Sequence, residues 1–309
     1  MTPESANLNL PKASTTLSFA ASPTKTAHRL SDAEKAEALS FLKERSLHTF
    51  VMSGYIRDNG LESEFNRGVF YGHRDAAGAL QGVALIGHAI YLEIRSNTAL
   101  REFARTAQLS PQTHMIMGES EIVERFWSYY AAAGQPERRL GREVLFELNE
   151  RPKNYAPVPG LRPADLNDFS LIVPIHAALA FEESGVNPLA KDPRGFRERC
   201  RRRIEQGRIW VLVEHGELLF KADIVSDTPE VIYLEGLYVR PNERRKGYGS
   251  RCLAQMALEL LSGTKSITAL VNEEKLDAQT FLRKIGFEPR ALYDTIFLRE
   301  DRNKPKPVA

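Results

Sequence analysis

The chain has 309 residues, 42% of them hydrophobic and 27% charged, with a formal net charge of +2. That balance suits a soluble protein of about two domains and gives no reason to expect a nucleic-acid or membrane partner. No apolar run reaches the ~18 residues of a membrane span, the N-terminus lacks the basic-then-apolar order of a secretory leader, and Cys200 and Cys252 have no metal-ligand spacing, which fits a reducing cytoplasm and no bound metal.

Residues 1–29 are rich in Ser, Thr, Ala and Pro and read as a flexible tail. Ser31 followed by Glu34 is a capping box at a helix start, and Phe41 and Leu42 supply that helix's apolar face. Two loosely alternating runs, 65–74 and 81–90, flank the turn signal Asp75-Ala-Ala-Gly78 and predict a strand pair. A helix over 98–107, a short strand at 114–117, a helix over 119–133 with Gly134 as its stop, and a strand over 143–148 follow. Met115, Met117, Phe126 and Trp127 read as core rather than as a ligand pocket. Residues 151–160 are proline-rich and read as a linker.

The second half opens at Leu161-Arg162-Pro163, with Asp165 or Asn167 capping a helix that runs through His176 to Gly185. Residues 196–206 form a second helix, whose arginines read as a solvated face. Strands over 209–214 and 218–225 join at the hairpin signal His215-Gly216. The run Val231-Ile-Tyr-Leu-Glu-Gly-Leu-Tyr-Val239 is β-branched and aromatic, hence a strand, and Pro241-Asn242 stops it. Arg244-x-x-Gly247-x-Gly249 then enters a helix marked by Leu253, Met256, Ala257 and Leu260. Glycines before a helix N-terminus, with Arg244, Arg245 and Lys246 beside them, make a site for a pyrophosphate. The three-glycine dinucleotide fingerprint and the Gly-Lys-Ser/Thr triplet of a Walker loop are both missing. A strand over 266–271, Asn272, a short helix, Gly286-Phe287 and a last strand over 292–298 complete the order.

The strand, the Arg-x-x-Gly-x-Gly turn and helix, the second strand, Asn272 and Gly286-Phe287 together resemble the GCN5-related N-acetyltransferases (GNAT). The resemblance extends to bacterial predicted acetyltransferases that carry an extra N-terminal domain. It implies an α/β fold with a mixed central sheet flanked by helices. The domains would be 30–150, a degenerate GNAT-like unit without the turn, and 161–300, the GNAT domain proper, with a second tail at 301–309. It also implies acetyl-CoA as acyl donor, cradled by Arg244, Arg245, Lys246, Gly247, Tyr248, Gly249 and Ser250. The backbone of Leu237, Tyr238 and Val239 would pair with the pantetheine amides, and Asn272 would meet the CoA arm. Glu235, on the same strand face as Tyr233, is the candidate base. Glu182 and Glu183, ending the helix that borders the acceptor cleft, are candidates to hold a cationic amine. Many family members carry an acidic tyrosine four residues before the Gly-Phe pair; here that position is Leu282, which cannot donate a proton, and Tyr293 or Thr295 is the substitute considered. The expected activity is transfer of an acetyl group to a primary amine of a small molecule or protein by a monomer or homodimer. The alternative is an acyl-CoA-sensing module without turnover.

Overall fold

The computed structural model describes residues 27–153 and 155–299. Nearly all of both expected tails therefore lies outside the described residues. The exception is Ala27 to Arg29, where His28–Arg29 is not tail but a short strand, β1. The first half continues with α1 (Lys35–Lys43), α2 (Ser46–Asn59), β2 (Gly68–Arg74), β3 (Leu80–Gly87), β4 (Ala89–Ile94), α3 (Asn97–Gln108), β5 (Met115–Glu119), α4 (Ser120–Tyr130) and β6 (Glu137–Leu148). The second half has β7 (Arg162–Pro163), α5 (Phe169–Ser184), α6 (Pro188–Lys191), α7 (Pro193–Glu205), β8 (Ile209–Glu214), β9 (Glu217–Asp227), β10 (Val231–Val239), α8 (Tyr248–Leu260), β11 (Ser266–Asn272), α9 (Leu276–Ile285) and β12 (Glu288–Leu298).

The capping box that opens the first half is formed, with Ser31 N–H donating to Glu34 Oε2 at 3.0 Å. Two readings change. The run expected as one strand over 81–90 breaks at His88 into β3 and β4, and α2, which the sequence did not suggest, fills the gap between the first helix and the strand pair.

All twelve strands form one sheet, in the order β1-β2-β3-β4-β5-β12-β6-β11-β10-β9-β8-β7. From either edge inward the pattern is the same: four strands in antiparallel succession, then a fifth parallel to the fourth. The sixth strand of each half, however, lies on the other half's sheet. β12 pairs with β5, β6 pairs with β11, and β6 and β12 pair with each other from Glu288–Glu147 to Leu298–Glu137. The halves thus exchange their last strands.

Strand alternation sorts the sheet residues between two faces. On one face Phe146, Leu148, Ile232, Leu234, Ile267 and Ala269 pack under α8 and α9. On the other, Leu145, Val231, Tyr233 and Tyr293 pack with Phe50, Val51 and Met117. Phe146 and Leu145 belong to β6, so one exchanged strand contributes to both cores. Among the described residues no helix is long and apolar enough to cross a membrane.

Candidate active site

β10 pairs in parallel with β11 from Val231–Ser266 to Leu234–Ala269, and there the pairing stops. Beyond it Glu235 to Val239 continue on β10 with one edge unpaired, as an added strand requires. Leu237, Tyr238 and Val239, expected to meet pantetheine, lie along this edge and are partly buried.

The turn follows directly. Pro241–Glu243 is a short 3₁₀ segment, Arg245 sits in the left-handed region at φ 63°, and Gly247 is the N-cap of α8 at φ 84°. A Cβ built on Gly247 would meet nothing within 4 Å, so this backbone borders open space. Gly249 serves differently: its Cβ would come within 2.9 Å of Val239 and 3.1 Å of Phe281, so its bareness lets α8 pack against the strand. The first N–H groups of α8, those of Tyr248, Gly249 and Ser250, have no carbonyl within the helix to bond and gather at its positive end. Arg244 Nε donates to the Val239 carbonyl at 3.0 Å, and Lys246 Nζ lies 3.1 Å from both oxygens of Glu243. The turn is thereby held open beside the gap between β10 and β11.

Three carboxylates converge on the face opposite α8. Glu235 on β10 is half-buried. Glu183, in the last turn of α5, is exposed; desolvation by the surrounding protein, then the charges of Glu235 and Glu143, push its pKa up to about 8. Glu143, from β6, is raised by burial and then by Glu235, against the hydrogen bond it accepts from Thr295 Oγ1 at 3.1 Å. Tyr233 is buried beside them, and burial together with the Glu235 and Glu143 charges holds its hydroxyl well above the ordinary phenol range. Like charges facing one another do not ionise as cheaply as lone ones, which adds to the desolvation that raises Glu143 and Glu183.

Glu143 escaped sequence reasoning because it reaches this group only through strand exchange. Arg138 and Arg139 come by the same route. Arg138 Nη2 donates to the Ser184 carbonyl at 2.7 Å and Arg139 Nη1 to the Glu183 carbonyl at 2.9 Å, cations placed at the C-terminal end of α5. Glu182 is separate from the carboxylate group. It forms an ion pair with Lys275 at 2.5 Å, and that hydrogen bond lowers its pKa. The acceptor-side pair thus divides, with Glu182 strapping α5 to the entrance of α9 and Glu183 facing the cleft.

Other expectations meet their surroundings. Asn272 ends β11, and its side-chain oxygen accepts from Glu274 N–H at 2.8 Å, the turn-forming role of an asparagine. Leu282 is 1% exposed in the core under α9. Tyr293 is corrected: its hydroxyl lies 3.1 Å from His48 Nδ1 in the first half's pocket, with Phe50, Tyr91, Met117 and Glu119, because β12 crosses to that half. Met117 therefore lines a pocket, while Phe126 is core. The α7 arginines are also not one solvated face. Arg202 stacks on Phe65 at 3.9 Å and Arg203 approaches Asp223 at 3.8 Å. Cys252 is buried, and burial pushes its thiol up to about 12, which makes it a packing residue.

The first half repeats the central strand. Ala89-Ile-Tyr-Leu-Glu93 on β4 corresponds to Val231-Ile-Tyr-Leu-Glu235 on β10, with the same parallel register to the fifth strand (Ala89–Met115 and Val231–Ser266). It has no equivalent of the turn, since only Arg95 and Ser96 separate β4 from α3, where Ser96 Oγ caps the helix by accepting from Ala99 N–H. Glu93 is 3% exposed and raised to about 7, burial outweighing Arg45, 3.3 Å away. A carboxyl whose folded pKa exceeds its unfolded value holds its proton in the native state, so its contribution to stability is full below about 4.5 and lost as pH rises through about 7. Glu93→Gln is expected to flatten the fall in denaturation midpoint between pH 5 and pH 8; an unchanged slope would show that Glu93 does not cause it.

A profile of the Acetyltransferase (GNAT) domain matches residues 205–289. No functionally curated protein matches the sequence. A Drosophila protein solved by structural genomics is similar over 90% of this chain and 99% of its own, with TM-score 0.68 and 16% identity. A tandem GNAT protein from the clavulanic acid biosynthesis pathway covers 88% of this chain and 98% of its own (TM-score 0.55, 13% identity). A GCN5-related N-acetyltransferase from Sphaerobacter thermophilus covers 87% and 93% (TM-score 0.52, 12% identity). At these identities the neighbours speak for the fold, and the profile speaks for the stretch containing β8 to α9. Residues 205–289 thus match the Acetyltransferase (GNAT) domain, within a fold that these neighbours, one of them a tandem GNAT protein, share along most of the chain.

Proposed function

We propose that the protein transfers an acetyl group from acetyl-CoA to a primary amine. The observation carrying this reading is the juxtaposition of the open turn at Arg244–Ser250, the free edge of β10 beyond Leu234, and the carboxylates on the adjoining face. The N–H groups of Tyr248, Gly249 and Ser250, with Arg244, Arg245 and Lys246, hold the pyrophosphate. The Leu237–Val239 backbone pairs with the pantetheine amides and brings the thioester into the gap between β10 and β11, with Asn272 at its far side.

The acceptor enters from the side of Glu183 and Glu143 as an ammonium, which the carboxylate group attracts. Glu235 takes its proton, and the free amine attacks the thioester carbonyl. The C–N bond forms, the C–S bond breaks, CoA leaves as thiolate, and the surplus proton on the new amide nitrogen passes to that thiolate.

Thiol release over a panel of primary amines tests the reading, with acetyl-CoA binding measured alongside by calorimetry. Glu235→Gln is expected to lower the release rate by about 10²–10⁴-fold while acetyl-CoA affinity holds. A parent rate in Glu235→Gln from pH 6 to pH 9 removes Glu235 as base. Binding without release on any amine favours a sensing module.

A further inference from the structure

β10 carries a bulge at the point where the thioester would lie. Its pairing with β9 steps from Glu235–Asp223 to Tyr238–Lys221, so Gly236 and Leu237 together oppose Ala222 alone. Gly236 is at φ 60°. The bulge turns its carbonyl toward the face that carries α5 and α7, where it accepts from Lys221 Nζ at 3.3 Å.

Lys221 is 0% exposed and Asp223 1%, and their side chains form an ion pair of 2.6 Å. Both stand on the Glu235 side of β9, since Phe220, Ala222 and Ile224 face the α8 core. His176 Nε2 of α5 lies 3.7 Å and Arg203 Nη1 of α7 3.8 Å from Asp223 Oδ2, and Cys200 Sγ lies 3.6 Å from His176 Nδ1. Burial holds His176 neutral, with its pKa near 3. The other Asp223 oxygen, Oδ1, is buried without a hydrogen-bond partner among the described residues. A Cβ on residue 236 would come within 2.6 Å of Asp223 Oδ2 and 2.8 Å of Lys221 Nζ. Strand, glycine and ion pair therefore interlock.

A fully buried ion pair is a poor source of stability, because its desolvation roughly cancels its attraction. Its retention beneath a bulge calls for another reason. We infer that Lys221 and Asp223 are positioning residues: they hold the Gly236 bulge so that Glu235 and the Leu237 backbone keep their aim into the gap between β10 and β11. The inference rests on the acetyl-transfer reading for its effect on rate, but not for its effect on the strand. A ladder relaxed to regular pairing would turn the Leu237 backbone and the Glu235 side chain away from that gap, and displacements of about 1 Å cost on the order of 100-fold in rate.

The test is the double variant Lys221→Met/Asp223→Asn, which leaves no lone buried charge from the pair, with Gly236→Ala as a second variant. Three readouts are taken on each full-length protein: amide chemical shifts of residues 231–239, acetyl-CoA affinity, and kcat with acceptor KM. The expected result is shifted residue-236 and Leu237 amides with Val231–Leu234 unchanged, weaker acetyl-CoA binding, and kcat down about 100-fold at a similar acceptor KM. Unshifted Gly236 and Leu237 amides in Lys221→Met/Asp223→Asn overturn the inference even if no amine is ever acetylated. Shifted amides with a parent kcat overturn it equally. Shifted amides in a protein whose parent form releases no thiol uphold the bulge's support and count against the acetyl-transfer reading alone.

Discussion

In Gly247→Glu, acetyl-CoA binding is expected to weaken at least ~100-fold, with the melting temperature nearly that of the parent. The geometry separates the causes. At φ 84° any side chain strains the backbone by about 1–2 kcal/mol, yet a Cβ there touches nothing within 4 Å. Gly247→Ala therefore reports strain alone and should lose little affinity. Glutamate adds a negative charge where the pyrophosphate is proposed to sit, at the mouth of α8, and like charges in such contact cost several kcal/mol. If both variants bind acetyl-CoA as the parent does, the open space at Gly247 holds something else, and the cradle assignment falls with it.

The second large effect concerns strand exchange. Phe146 is 0% exposed, lies on β6 of the first half, and packs into the second half's core, with Arg283 of α9 over its ring at 5.1 Å. Phe146→Ala should cost about 3–5 kcal/mol, the usual penalty for emptying a large buried aromatic site. Because the same strand carries Leu145 into the core on the opposite face and pairs with β12, both halves should lose stability together. Calorimetry is expected to give one transition, displaced downward, in parent and variant alike. Two resolved transitions, only one of them displaced, would mean that the exchanged strands do not couple the halves.

Much of the second half was legible because its signals are local. The β-branched run at Val231–Val239, the glycines at the head of α8 and the hairpin at His215-Gly216 each declare themselves within a few residues. Helix α2 did not, for a physical reason. Thr49 through Gly54 are buried all round, so no polar face marks a period, and Gly54 lets the helix approach β9 until a Cβ would lie 2.3 Å from Ser226 Oγ. The pairing of β6 with β11 was equally silent. A strand's alternation reads the same whichever sheet it joins, so nothing in Glu143–Leu148 says that Glu143 will face Glu235 or that Tyr293 will face His48. Beside the order of helices and strands in residues 30–150, the repeat Ile-Tyr-Leu-Glu at residues 90–93 and 232–235 is a second readable sign that the halves are built alike.

Strand exchange also sets the order in which the molecule can be completed during synthesis. β6 is translated early, but its partners β11 and β12 lie more than a hundred residues downstream. Until Asn272 has emerged β6 has no sheet to join, and until Leu298 has emerged β5 presents an unpaired edge. Such distant pairings come late in folding, and an open edge held through translation is exposed to wrong partners. The carboxylate group depends on the same event, because Glu143 arrives with β6. A chain ending before β11 would therefore hold the pyrophosphate turn without Glu143 beside Glu235, and the last strand, which brings Thr295 onto Glu143, completes the group.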